Sequence, residues 1–92
     1  MAIYLLFGKY SAESLKGISA KRSEEARALI KKHGGELKAA YATLGVVDLM
    51  MAVDLPDNAR AMAVSMALAK ATGIGFTTSP AVPIDEFDKL AG

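Results

Sequence analysis

Apolar and polar positions along the chain repeat at two spacings, one of two residues and one near 3.6, and the switches between them mark the elements. Ile3 to Lys9 is a short apolar run rich in branched and aromatic side chains, which predicts a first strand. Ser11 is placed to cap a turn with Glu13 near its amino end, Gly17 interrupts that turn, and Ser19 is a second capping residue. The stretch KRSEEARALIKKHGG then predicts a helix on which Arg22, Ala26, Leu29, Ile30 and His33 share one stripe. Lys31, Lys32 and His33 suit the negative end of its dipole, and Gly34 supplies a left-handed stop. Glu36 to Thr43 alternates charged or small residues with Leu37, Ala39 and Tyr41, a second strand, and Gly45 marks the hairpin turn into a third over Val46 to Leu55. Pro56 ends that strand, Asp57 or Asn58 caps a second helix over NARAMAVSMALAKATG, and Gly73 stops it. Ile74 to Ala81 is expected as the fourth strand, with Pro83 opening a short terminal helix, PIDEFDKL. The order β-α-β-β-α-β is that of an α+β, ferredoxin-like sandwich.

Two strands carry apolar side chains on both parities. The third has Val47, Leu49, Met51, Val53 and Leu55 on one side and Val46, Met50 and Ala52 on the other; the first sets Ile3, Leu5 and Phe7 against Tyr4 and Leu6. In a two-layer fold the helices cover one face only, so the second face needs a cover, and the simplest cover is the same face of a second copy across a twofold axis. The expectation is a homodimer through the sheet faces, a dimeric α+β barrel. The second helix is apolar around most of its circumference, from Ala59 and Met62 to Leu68 and Ala71. Alanine's helix propensity accounts for that without a partner; assembly of dimers into a higher oligomer through this helix is the alternative.

Size and composition sharpen this picture. Ninety-two residues make a single domain, 1–92. A chain this short buries about two-thirds of its unfolded surface, so a lone monomer is marginal, yet 52% of its residues are hydrophobic. Both facts favour an oligomer. With no cysteine and one histidine there is neither a disulfide nor a cysteine-ligated metal to expect, and no metal site or cofactor is assigned. A net charge of +1 with acids and bases interspersed makes no case for nucleic acid or an anionic membrane. The segment MAIYLLFGKY has no basic region before its apolar run and no cleavage pattern, and no stretch approaches a membrane span, so a cytoplasmic protein is expected.

With the elements placed, the chain resembles the GYD domain family. The likeness covers YLLFGKYS and the following LKGIS, the helix ending in GGELK, then YATLGVVDLMMAVDLPDN, TGIGFTTSPAV and the closing EFDKL. The family's Gly-Tyr-Asp motif falls on Gly45, Val46 or Val47, and Asp48, with its tyrosine absent. The resemblance implies a dimeric α+β barrel. A glycine turn followed by an acid in strand three, and a helix leading to the threonine-rich TGIGFTTS, also resemble the effector-binding domain of the Lrp/AsnC regulators. That likeness implies small-molecule binding near subunit interfaces; the 92 residues hold no helix-turn-helix, so the expectation is the sensor half standing alone.

Asp48 is the residue that asks for an explanation. Alternation points it the same way as Met50 and Ala52; if the bulkier parity faces the helices, it faces the space between the sheets. A carboxylate there needs hydrogen bonds or a cation. Either it accepts bonds from backbone N–H groups of the Gly45 turn, or pairs with a base from the partner chain, as a staple, or it binds a ligand or transfers a proton. A two-residue Leu44-Gly45 loop would set Tyr41 directly opposite Asp48, and a bulge at Gly45 would reverse that facing. Lys9 and Tyr10, at the end of strand one, are the other polar candidates. Tyr4 is a cavity-lining phenol or an interface aromatic; Thr77, Thr78 and Ser79 put hydroxyls on strand four, where branching alone explains threonine. Arg22 is placed to reach a carboxylate near the sheet, and His33 to cap its helix.

Three functional readings follow. The first is a ligand-binding or regulatory homo-oligomer with an inter-sheet or inter-subunit site formed by Tyr4, Tyr41, Asp48, Met50 and Thr77. The second is a cofactor-independent enzyme of oxygenase or isomerase type, with Asp48 as proton acceptor and Lys9 or Tyr10 stabilising negative charge. The third is a purely structural oligomer.

Overall fold

A computed structural model describes all residues, 1–92. The elements in chain order are β1 (Ala2–Lys9), α1 (Ala12–Lys16), α2 (Ala20–Lys32), β2 (Glu36–Ala42), β3 (Leu49–Leu55), α3 (Asn58–Thr72), β4 (Gly75–Ala81) and α4 (Ile84–Ala91). The strands form one antiparallel sheet in the order β2-β3-β1-β4, the ferredoxin-like arrangement expected.

Capping chemistry sets most of the boundaries. The Ser11 hydroxyl accepts from the Ser14 N–H while Ser14 reaches back to the Ser11 N–H, a reciprocal capping box that turns the expected turn into the short helix α1. Ser19 accepts from the Arg22 N–H at the start of α2, and Asp57 from the Arg60 N–H at the start of α3. Gly34 (φ 81°) and Gly73 (φ 73°) end α2 and α3 in the left-handed region, where a side chain would be strained.

The helical layer lies over one face of the sheet. Tyr4 and Leu6 of β1, Met51, Val53 and Leu55 of β3, Ile30 of α2, and Ala61, Val64 and Leu68 of α3 make the buried core, with Ala26, Leu29, Leu37, Leu49 and Phe76 packed against it. The bulkier parity of β3 therefore does face the helices. Of the nearly all-round apolar α3, Ala61, Val64 and Leu68 are buried while Met62 and Met66 are exposed.

The hairpin differs from expectation. β3 begins at Leu49 rather than Val46, because the Thr43 N–H donates to the Asp48 carbonyl at 2.9 Å and closes a four-residue loop, Leu44 to Val47, in which Leu44 and Val46 are fully exposed. Tyr41 consequently lies opposite Met50, not Asp48. The strand irregularity sits between Leu37 and Ala39 instead of at Gly45; it puts Leu37 opposite Val53 and Ala40 opposite Met51 on the core face, and leaves Ala39 and Tyr41 on the other.

Where α2 gives way to β2 the backbone passes close to β3. A Cβ on Gly35 would stand 2.5 Å from Leu55 Cδ2 and 2.6 Å from the Asp54 carbonyl oxygen, whereas one on Gly75 would meet nothing within 4 Å. Gly35→Ala is therefore expected to lower unfolding stability by about 2 kcal/mol, the scale of overpacking a tight site. Gly75→Ala should stay within about 0.5 kcal/mol of the parent. Urea denaturation of the two variants reads both; equal stabilities would refute the close approach.

Candidate functional site

The uncovered sheet face is built in rows by the strand register. Tyr41, Met50, Phe7 and Thr77 stand side by side across β2, β3, β1 and β4; Ala39, Ala52, Leu5 and Ser79 form the next row; Asp54, Ile3 and Ala81 the one beyond. No helix lies over these residues. The middle of the face is aliphatic and aromatic, while hydroxyls line the β4 edge and charges sit at both ends. At one end Lys38 Nζ is 3.9 Å from Asp54 and 3.6 Å from Glu36.

At the other end is Asp48. Its Oδ2 accepts the Tyr10 N–H at 2.9 Å, and Lys9 Nζ lies 4.0 Å from the same oxygen. The Asp48 N–H in turn donates to the Gly8 carbonyl at 2.9 Å. The carboxylate thus ties the β2–β3 loop to the end of β1, so the backbone partner is Tyr10 rather than the Gly45 turn, and the base beside it comes from its own chain. The loop is further braced by the Thr43 hydroxyl, which donates to the Val47 carbonyl at 2.7 Å. Lys9 is largely exposed, so at 4.0 Å its pairing adds little to stability. Oδ1 of Asp48 has no partner within the chain.

The expected site residues divide between the faces. Tyr41, Met50 and Thr77 stand in one row of the open face, and Asp48 and Lys9 lie at that row's end of the sheet. Tyr4 leaves the set: alternation along β1 turns it to the helices, where its hydroxyl donates to Asn58 Oδ1 at 2.6 Å. Tyr10 offers its backbone to Asp48, but its ring lies on the helical side, 5.9 Å beneath the guanidinium carbon of Arg22. Arg22 itself reaches no carboxylate; it donates to the Ser14 carbonyl at 2.6 Å and braces α1 against α2. His33 does close α2, with Nδ1 2.9 Å from the Leu29 carbonyl oxygen.

Two clefts on the helical side were not foreseen. One, of about 200 Å³, opens between α2 and the sheet; Leu37, Leu49, Met51 and Phe76 are in its walls, with Arg22 and Arg27 beside them. The other, of about 430 Å³, runs between α3 and β4 and contains Tyr4, Met62, Met66, Phe76 and Pro80, with Ser65 and Thr78 hydrogen-bonded to each other across it. Met62 and Met66, one turn apart on α3 and both exposed, are the signal in the sequence from which the second could have been found.

Comparison with known proteins fits this architecture. No curated protein matches the chain by sequence. Among solved structures, the fold is similar to that of the leucine response regulatory protein of Mycobacterium tuberculosis, with a TM-score of 0.59 and 8% identical residues, over 89% of this chain and 51% of that one. The chain thus spans about half the length of that protein, and at such low identity the likeness is one of fold. The sequence itself matches the GYD domain over residues 4–91, nearly its whole length, and the chain belongs to the GYD domain family.

Proposed function

We propose that this GYD domain is a ligand-binding or regulatory module that works as a homodimer, with two open sheet faces packed on each other and a small molecule held at the Asp48 end of the space between them. The observation that carries this reading is the uncovered apolar face, Ile3, Leu5 and Phe7 beside Met50 and Ala52, ending in a carboxylate with one oxygen anchored and the other free. An apolar surface of that kind in a 92-residue chain is best covered by its own copy, since the same rows meet themselves across a twofold axis. The fold shared with a leucine response regulatory protein supports a module that responds to small molecules. Tyr41, Met50 and Thr77 would supply the walls, and Asp48 with Lys9 the polar end.

The geometry favours binding over proton transfer. Acid–base catalysis calls for a second group held beside the base, and the charged neighbour of Asp48 is Lys9, which is largely exposed and 4.0 Å away. The Tyr10 ring, the second catalytic candidate, lies on the opposite side of the sheet against Arg22.

Leu5→Glu puts a carboxylate at the centre of the open face without touching the helical core. The parent is expected to scatter light at micromolar concentration with twice the 9.6 kDa mass of one chain, and the variant with that of a single folded chain. A parent that is a folded monomer, or a variant that remains a dimer, contradicts the sheet-to-sheet pairing.

Asp48→Ala leaves the Tyr10 N–H without its acceptor and should cost about 1–2 kcal/mol in urea unfolding, whereas Asp48→Asn keeps an acceptor oxygen and should cost less. Native mass spectrometry of protein taken directly from cells is expected to show a small molecule on the parent dimer and not on the Asp48→Asn dimer. A molecule retained by that variant would remove Asp48 from the binding site.

A further inference from the structure

The C-terminal helix α4 is amphipathic and has no buried residue. All eight of its residues are exposed, including Ile84 at 69%, Phe87 at 54% and Leu90 at 73%. At 100° per residue these three and Ala91 fall within one arc about a third of the circumference wide, bordered by Asp88 on one side and Glu86 on the other. A helix of eight residues is far too short to be stable by itself in water; helices of this size hold their shape through packing of the apolar face. The stripe therefore calls for an occupant.

The same chain carries a surface of matching chemistry. The cleft between α3 and β4 is bounded by Met62, Met66, Phe76 and Pro80, and Met62 and Met66 are themselves 64% and 58% exposed. Its volume of about 430 Å³ admits more than one large apolar side chain. Methionine is suited to such a surface, because its unbranched side chain adapts to what is laid on it. Charge agrees as well. α4 has three acids, Asp85, Glu86 and Asp88, against Lys89, while α3 has Arg60 and Lys70 and no acid. Lys70 continues the row of Met62 and Met66 at four-residue intervals, so it stands at the end of the cleft.

We propose that α4 docks into the α3–β4 cleft of a second copy of this chain, burying Ile84, Phe87 and Leu90 among Met62, Met66 and Phe76 and bringing the acids of α4 toward Lys70. The connection to β4 is what sends it outward. Only Val82 and Pro83 separate the strand from the helix, and Pro83 is extended (φ −57°, ψ 149°), so α4 runs on from β4 and the molecule measures 46 Å in its longest direction against 19 Å in its shortest. To enter its own cleft, whose wall is β4 itself, α4 would have to reverse direction across those two residues. A membrane surface is the poorer occupant, because helices that lie on anionic lipid carry lysine and arginine on their polar face and this one carries a net negative charge.

The chain's lack of cysteine makes the test direct. Full-length Met66→Cys and Phe87→Cys chains, distinguishable by mass, are mixed and mildly oxidised, with Glu24→Cys on the solvated face of α2 replacing Met66→Cys as control. The proposal predicts that the disulfide between a Met66→Cys and a Phe87→Cys chain forms at least several-fold more than the control pair. It is overturned if the mixed pair forms no faster than the control. It is equally overturned if the doubly substituted chain, Met66→Cys with Phe87→Cys, closes within a single molecule at high dilution, or if the parent floats with phosphatidylglycerol vesicles and Phe87→Asp abolishes flotation. One eight-residue helix buries far less than the roughly 1,200 Å² of a stable interface, so the α4 contact alone does not hold copies together at micromolar concentration: light scattering of Leu5→Glu reads the sheet contact, and the mixed disulfide, which traps weak association, reads the α4 contact.

Discussion

The structure depends on a central strand that is apolar on both sides while helices cover only one. β1 pairs with β3 and β4 along nearly its full length, with Tyr4 and Leu6 in the core and Ile3, Leu5 and Phe7 on the open face. Each buried aliphatic or aromatic side chain contributes roughly 1.5–3 kcal/mol relative to an exposed one, which makes a bare apolar row a substantial unused free energy in a small domain. Covering that surface would convert it into stability.

The same constraint shapes the candidate site. Asp48 lies where the apolar rows stop, and its hydrogen bond from Tyr10 fixes the β2–β3 loop to the end of β1. A staple and a ligand group are not exclusive here: one oxygen organises the backbone and the other is free. The open face is thus a hydrophobic middle with a fixed polar end, the arrangement that small-molecule sites commonly share. On the helical side, the Tyr4–Asn58 and Ser65–Thr78 pairs satisfy the hydroxyls of β1 and β4 internally, so those groups serve packing between α3 and the sheet.

Much of the fold was legible because local signals and the global pattern agree. Ser11, Ser19 and Asp57 are capping residues by chemistry and by geometry, Gly34 and Gly73 stop helices as they must, and the stripe from Arg22 to His33 faces inward. The hairpin was misjudged because Val46 and Val47 are strong strand formers by composition, yet they sit in a loop held by the Thr43–Asp48 backbone bond and the Thr43 hydroxyl. Strand propensity yields to such tertiary bonds. The facing of Tyr4 turned on which parity of β1 the helices cover, and with apolar side chains on both parities the pattern offers no way to choose. The irregularity between Leu37 and Ala39 carries no glycine or proline to announce it.

The central claim is that a second copy covers the open sheet face. Isotope-filtered nuclear Overhauser spectra of a mixture of labelled and unlabelled chains test it at the residues concerned. The account predicts cross-peaks between copies from the methyl groups of Leu5 and Met50 and the ring of Phe7. Absence of those cross-peaks, with the same methyl signals broadened by a soluble paramagnetic agent, would contradict it.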